Sequence, residues 1–509
     1  MTSAAQQRIE PSAGAGLSAA GEIFLAFAVS VALLVPCVWQ DHVYAGDLSS
    51  HVYTAWLTGE IERGAVPDLK LVHPWTNVVC DWALQTLMAH VGPAWAERIV
   101  TGIAVLIFFW GAFNLIKVVI GRRSWLMTPA LGMLAYGLVF QLGFLNFYLA
   151  TGVCLWVAGL LWQPTWLRAT IAVPLVVLAL RAHAMPVVWV AAVLAYVHLV
   201  RRIPSKLRPA MLLVGLAALF TLQALVMKFV PYRWSFQAVS LGALLGLTGT
   251  EQLWLYGAKY LIVAAGVALI WSVLFLERLD QGGMLADPLV HIWILNVCAY
   301  ALLPDSIQLP QYQHVLAYIP QRLSLFSAVI LCAVVGGAHY GRGTTRFSAA
   351  IATMFFTFLY LDNRAFSQIE NQVKALVETV PPGSRVVAEI GDSNSRLSPL
   401  LHVADRACIG RCFSYANYEP ATAQFRIRVQ GPNPVIAPTM QIVQEIEEGR
   451  HTVTQGEAPI YSVCQSTEAS HPLVMRRVEV GEKTCSFSLP ISPTLWMSPD
   501  ASAAVSAKE

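Results

Sequence analysis

Along the first 362 positions, apolar residues run in stretches of about 20, the length a helix needs to cross a hydrocarbon core of about 30 Å. Eleven such stretches are predicted as transmembrane helices, at 22–40, 98–120, 124–143, 145–163, 168–181, 183–200, 209–230, 252–276, 288–304, 322–339 and 346–362. Pro, Gly or charge punctuates most joints, and the short breaks at Gly143–Asn146 and Arg181–His183 must serve as turns. After 362 the pattern changes. Ala365, Ile369, Val373, Leu376 and Val377 keep a helical period until Pro381-Pro382-Gly383 stops it, and Arg385–Ile390 reads as a strand. Short apolar runs at 424–430, 459–464 and 472–488 complete a small α/β or α+β domain. The predicted fold is an α-helical polytopic membrane protein of about 11 transmembrane helices. It has an N-terminal tail at 1–21 and a soluble C-terminal domain at 363–509.

Composition agrees with that division. Of 509 residues 56% are apolar and only 12% charged, against about 25% charged in soluble chains. Residues 1–362 carry 35 charged groups, and residues 363–509 carry 28 at twice the density. Lys and Arg in short loops mark the cytoplasmic side. Arg122 and Arg123, Arg168, Arg201 to Arg208, Arg278, and Arg342 with Arg346 fall on alternate loops of the eleven-helix count. The N-terminal tail is then cytoplasmic, while 41–97, 231–251, 305–321 and the C-terminal domain lie outside, as in a bacterial inner-membrane protein with a periplasmic or extracellular domain. A net charge of +3, with no basic run interleaved with aromatics, gives no reason to expect nucleic acid. The first segment is read as an uncleaved helix, because no A-x-A site follows it.

The outer side gathers the candidate chemistry. The first external loop has about 55 residues and holds Asp41, His42, Asp47, His51, His73 and Asp81. Leu48–Arg63 and Trp82–Met88 have helical spacing, as amphipathic helices lying in the interface would. Further ionisable groups at helix mouths are Glu97, Arg98, Arg181, His183, Arg233, Lys259, Asp305, Arg322 and Asp362. In the tail, Cys408, Cys412, Cys464 and Cys485 are disulfide candidates in an oxidising compartment, with three pairings open. The alternative, a metal half-site of Cys408, Cys412 and His402, is the weaker reading.

Gly46-Asp47-Leu48-Ser49-Ser50-His51-Val52-Tyr53-Thr54-Ala55, followed by Gly64-Ala65-Val66-Pro67, resembles the first-loop signature of GT-C-type integral membrane glycosyltransferases. His73-Pro74 is similar to a segment before their second interfacial helix, and Gly143–Tyr148 and Arg181–His183 resemble their helix mouths. Two departures stand out. Leu48 replaces a second acidic residue, and Trp75 replaces a second Pro, which puts a second carboxylate and any metal it would bind in question. The resemblance implies sugar transfer from a polyprenyl-phosphate donor to an extracytoplasmic lipid, glycan or protein acceptor, with inversion. No cofactor is indicated, although a divalent metal stays open. Asp47 fits the general base. His51, His73, Asp81, Arg98, His183, Arg233 and Arg322 are the candidate substrate-binding residues. Arg322 is the preferred phosphate ligand because a guanidinium fork matches phosphate oxygens. A transporter or flippase of lipid-linked sugars, or a scaffold displaying the tail, are the rival readings. The missing internal repeat counts against the transporter.

Overall fold

The computed structural model describes residues 18–229, 232–233, 241–308, 315–390, 395–422, 425–432, 435–466 and 472–485. Most of the N-terminal tail assigned to 1–21 lies outside the described residues. Helices α1 (Ala19–Leu34), α2 (Leu48–Glu62), α3 (Val79–Val91) and α4 (Pro93–Ile120) open the chain. Then come α5 (Thr128–Ala135), α6 (Leu138–Gln141), α7 (Leu145–Leu161), α8 (Trp166–Ala182), α9 (Ala184–Arg201) and α10 (Arg208–Phe229). Helices α11 (Leu241–Thr248), α12 (Lys259–Asp280), α13 (Pro288–Leu302), α14 (Ile319–Val335) and α15 (Arg342–Glu378) complete the apolar half.

Among the described residues five segments are long and apolar enough to cross a membrane: Ala19–Cys37, Pro93–Ile120, Ala184–Arg201, Ser205–Phe229 and Lys259–Asp280. The segments at Trp125–Gln141, Leu145–Leu161, Pro288–Leu302 and Ile319–Val335 are apolar but shorter. The chain is thus a helical protein compatible with a multi-pass membrane location. Three details differ from the sequence pattern. The segment 124–143 is not one helix, because Tyr136 and Gly137 leave helical geometry between α5 and α6. The predicted loop 231–251 contains α11. The helices expected at 346–362 and 364–379 are one continuous α15, about 55 Å long at 1.5 Å per residue. Its Ile351, Phe355 and Leu359 belong to the core of the apolar half, and its Ile369, Val373 and Val377 to the core of the tail.

Close helix packing rests on small residues, as is common where lipid surrounds a bundle. A Cβ on Gly111 of α4 would meet the Gly152 carbonyl oxygen of α7 at 2.6 Å, and one on Gly152 would meet Phe108 Cα at 2.8 Å. The two backbones therefore touch.

The tail carries a four-stranded mixed sheet. Strands β5 (Arg385–Glu389), β6 (Phe413–Ser414), β8 (Ile460–Gln465) and β9 (Leu473–Val478) lie in the order β6-β5-β8-β9. The first three are parallel and β9 is antiparallel. Short helices α16 (Val403–Cys408), α17 (Tyr418–Thr422) and α18 (Met440–Glu447) accompany it. Two small sheets lie elsewhere: β1 (Leu69–Leu71) with β7 (Ile427–Val429), and β2 (Tyr232–Arg233) with β3 (Ser306–Gln308) and β4 (Val315–Leu316).

The tail is clamped to the segment between α1 and α4. Strand β1 of that segment pairs with β7 of the tail, Leu69 opposite Val429. Arg406 of α16 reaches Glu370 of α15 at 3.1 Å, Glu97 of α4 at 3.4 Å and the Val43 carbonyl at 3.1 Å, all buried. Consequently α2 does not expose a polar face, as an amphipathic helix lying in the interface would. Ten of its 15 residues are buried, and its Tyr53 hydroxyl accepts the Ser414 N–H at 3.0 Å. A helix covered on both sides need not be amphipathic.

Cys408 is bonded to Cys412 and Cys464 to Cys485, which leaves no thiolate for the metal half-site. Loop-closure entropy grows with the enclosed length. Replacing Cys464 and Cys485, 21 positions apart, by Ser is expected to cost about 3 kcal/mol, and the Cys408–Cys412 pair about 2 kcal/mol. Urea titration monitored by tail fluorescence, with equal losses for the two pairs, would contradict that ordering.

Candidate functional site

The site begins with a clamp between two glycines. Gly46 N–H donates to the Gln141 carbonyl at 2.8 Å, and Asp47 N–H donates to the Leu142 carbonyl at 3.2 Å. A Cβ on Gly46 would lie 2.7 Å from the Leu142 oxygen; one on Gly143, whose φ is +81°, would lie 2.3 Å from the Asp47 nitrogen. Only glycine allows the 141–143 turn to seat against the start of α2. Asp47 occupies the N-cap position, yet its side chain makes no capping bond. Its carboxylate is 29% exposed and faces a cavity of about 380 Å³, a size usual for small-molecule sites.

The cavity wall includes Asp47, His51, Asn146, His183 and Arg322, and the tail contributes Arg396, His402, Tyr418 and Glu447. Arg322 sits in the first turn of α14, 6% exposed, with its guanidinium carbon 4.0 Å from the Phe144 ring centroid and 4.7 Å from that of Phe147. Its Nε–H donates to the Ala317 carbonyl at 3.2 Å. Among the described residues its two terminal nitrogens have no hydrogen-bond partner, so the fork lies over two aromatic rings with its outer edge unused. His183 caps α9, its Nδ1 accepting the Met185 N–H at 3.2 Å, which leaves Nε2 as the donor.

His51 does not orient Asp47. Its Nδ1 lies 2.7 Å from Asp81 Oδ1, and Asp81 Oδ2 accepts from Asn146 Nδ2 at 2.9 Å. Burial opposes charge on both members of this pair, but their mutual attraction outweighs it, holding His51 above the usual imidazole range and Asp81 below the usual carboxylate range. Asp81 is thus spent on His51 and does not reach the cavity wall.

Three candidates lie elsewhere. His73 lines a separate cleft of about 1150 Å³ with Arg181, Trp82 and Arg426. Arg98 donates to the Gln40 and Asp41 carbonyls and stacks over Trp95, so it fastens the stretch that follows α1. Arg233 pairs through its backbone with Ser306; its side chain lies outside the described residues.

Sequence reasoning missed the tail's contribution. His402 Nε2 is 3.7 Å from Asp47 Oδ1, and His402 Nδ1 is 3.5 Å from Asp405 Oδ2. Burial pulls His402 down; Asp47, Asp405 and Glu447 pull it up more strongly, so its pKa is raised. The residue was visible only as a companion of Cys408 and Cys412, the wrong neighbours. Among the described residues no group of three or more His, Cys, Asp or Glu is disposed to hold a metal ion. No protein family, curated protein or solved structure matches the chain.

Proposed function

We propose that this protein is a membrane glycosyltransferase of GT-C type, taking a sugar from a polyprenyl-phosphate donor to an acceptor hydroxyl on the outer face. The observation that supports it best is the meeting of Asp47 and Arg322 on one cavity wall, although 275 positions separate them in the chain. The reaction needs this pair. The acceptor oxygen bonds to the anomeric carbon as its proton passes to the Asp47 carboxylate. The anomeric carbon–oxygen bond breaks, and its electron pair leaves with the lipid phosphate, where the free edge of Arg322 offers two N–H donors. His183, whose Nδ1 is taken by the Met185 N–H, supplies an Nε2–H on the same wall for a sugar hydroxyl in this reading.

In this reading the four shorter apolar segments, α8 and the first part of α15 cross the membrane beside the five long ones, giving the eleven-helix arrangement with the tail outside. Exposed Trp75, Trp82 and Trp95 around the first loop support a membrane interface at that level.

The reading is tested with the full chain in lipid vesicles, a polyprenyl-phosphate donor carrying a radiolabelled sugar, and an envelope extract as acceptor. Label moving to the acceptor with equimolar polyprenyl phosphate released is the expected result. Intact donor crossing the bilayer without cleavage would replace the transferase by a flippase.

A further inference from the structure

We propose that His402 is a positioning residue for Asp47 and that the tail domain thereby completes the site: an imidazolium braced by Asp405 turns the Asp47 carboxylate so that one oxygen is free for the acceptor hydroxyl. This rests on the glycosyl-transfer reading of the cavity. Three observations carry it.

The first is that both ring nitrogens face carboxylates, Nε2 towards Asp47 at 3.7 Å and Nδ1 towards Asp405 at 3.5 Å. A neutral imidazole has one donor and one acceptor nitrogen, so with both carboxylates ionised one lone pair would confront a negative charge, whereas the doubly protonated ring suits both sides. The second is that His402 is the one cationic group within ion-pair distance of Asp47 among the described residues. The third is that the brace closes on itself. Asp405 accepts from Ser414 Oγ and, at 2.8 Å, from Asn417 Nδ2, which also donates to Ser50 Oγ of α2 at 2.8 Å. Asp47 and Ser50 are three positions apart, on one face of the start of α2. The polar contacts therefore leave α2, pass through the tail and return to α2 beside Asp47. Arg406 already fastens the tail through Glu97 and Glu370, so docking does not require this ring.

The groups facing His402 are Asp47 from α2, Asp405 from its own element, Glu447 from α18 and the Tyr418 ring of α17 at a centroid distance of 5.1 Å. Across the cavity stand Arg322 and Arg396. The three carboxylates favour the charged ring, whose charge is complete at low pH and lost as pH rises through its raised midpoint. The Asp47 carboxylate loses its partner along that rise, so kcat falls on the alkaline side.

Two measurements on the full chain in nanodiscs test this. With histidine rings labelled by ¹⁵N and His402 assigned by difference against His402→Gln, the His402 midpoint is expected to drop by about one pH unit or more in Asp47→Asn. In transfer assays His402→Gln is expected to lower kcat about tenfold to hundredfold, below the ~10²–10⁴-fold of losing a base. Donor KM should be nearly unchanged and the alkaline fall removed; His402→Lys should recover part of kcat at high pH. A His402 midpoint indifferent to Asp47→Asn overturns the proposal, whatever the activity. So does a His402→Gln protein with the parental pH profile. A coupled midpoint in a protein that transfers no sugar from the donor keeps the pair and removes the glycosyl-transfer reading instead.

Discussion

Asp47→Asn is expected to reduce sugar transfer by about 10²–10⁴-fold, or roughly 3–5 kcal/mol of transition-state stabilisation, while the protein stays folded. The amide keeps the shape but cannot take a proton. Folding should suffer little, by about 1–2 kcal/mol for the lost His402 contact, because the Asp47 side chain makes no capping bond, its main-chain bonds to Leu142 and His51 survive the change, and His402 keeps Asp405. The neighbouring carboxylates behave differently. Asp81 is buried and bonded to His51 and Asn146, so Asp81→Asn leaves a buried imidazolium without its partner and should destabilise by about 3–5 kcal/mol. Thermal melts of the purified variants separate the two cases: a large rate loss with a small melting shift at Asp47, and a larger melting shift at Asp81. An Asp47→Asn protein that melts normally and transfers sugar at the parental rate would end the general-base assignment. Glu447, the tail carboxylate on the same cavity wall, would then be the residue to test.

Much of this was legible in the chain, and the exceptions share a cause. Helix-length apolar runs, the strand at Arg385–Glu389 and the turns at Gly143 and His183 are local properties, set by composition and backbone conformation within a few residues. Asp47 and Arg322 stood out because charge is costly at the end of an apolar helix, wherever the partner lies. What could not be read was the docking of the tail. The burial of α2 follows from contacts with Ser414 and Asn417, more than 350 positions away, and its sequence gives no sign of a second covered face. The His51–Asp81 pair was missed for a related reason. His51 lies one helical turn from Asp47, so helical spacing favoured that neighbour, whereas the packing of α3 against α2 presents Asp81 instead. His402 was hidden furthest: no periodicity marks it, and its partner belongs to another domain.

Arg322→Lys is expected to lower transfer by about 10²–10³-fold, close to the effect of Arg322→Ala, because geometry matters here more than charge. The guanidinium is held by three contacts that an ammonium cannot reproduce together: the Phe144 face, the Phe147 face and the Nε–H bond to the Ala317 carbonyl. These fix the plane of the fork and leave both terminal nitrogens for two oxygens of one phosphate. Lysine would keep one positive charge on a flexible stem, with no planar surface to stack and a single point of contact. The loss should sit in kcat if the grip tightens as the phosphate takes up charge, and in donor KM if it merely binds the ground state. Supplying a donor whose leaving group already carries more charge-stabilising substituents should therefore rescue Arg322→Ala and leave Asp47→Asn unrescued, since the second variant fails at the acceptor proton. Equal rescue of both variants, or near-parental turnover by Arg322→Lys, would make the stacked guanidinium a packing element of the Phe144–Phe147 wall and take the leaving phosphate away from it.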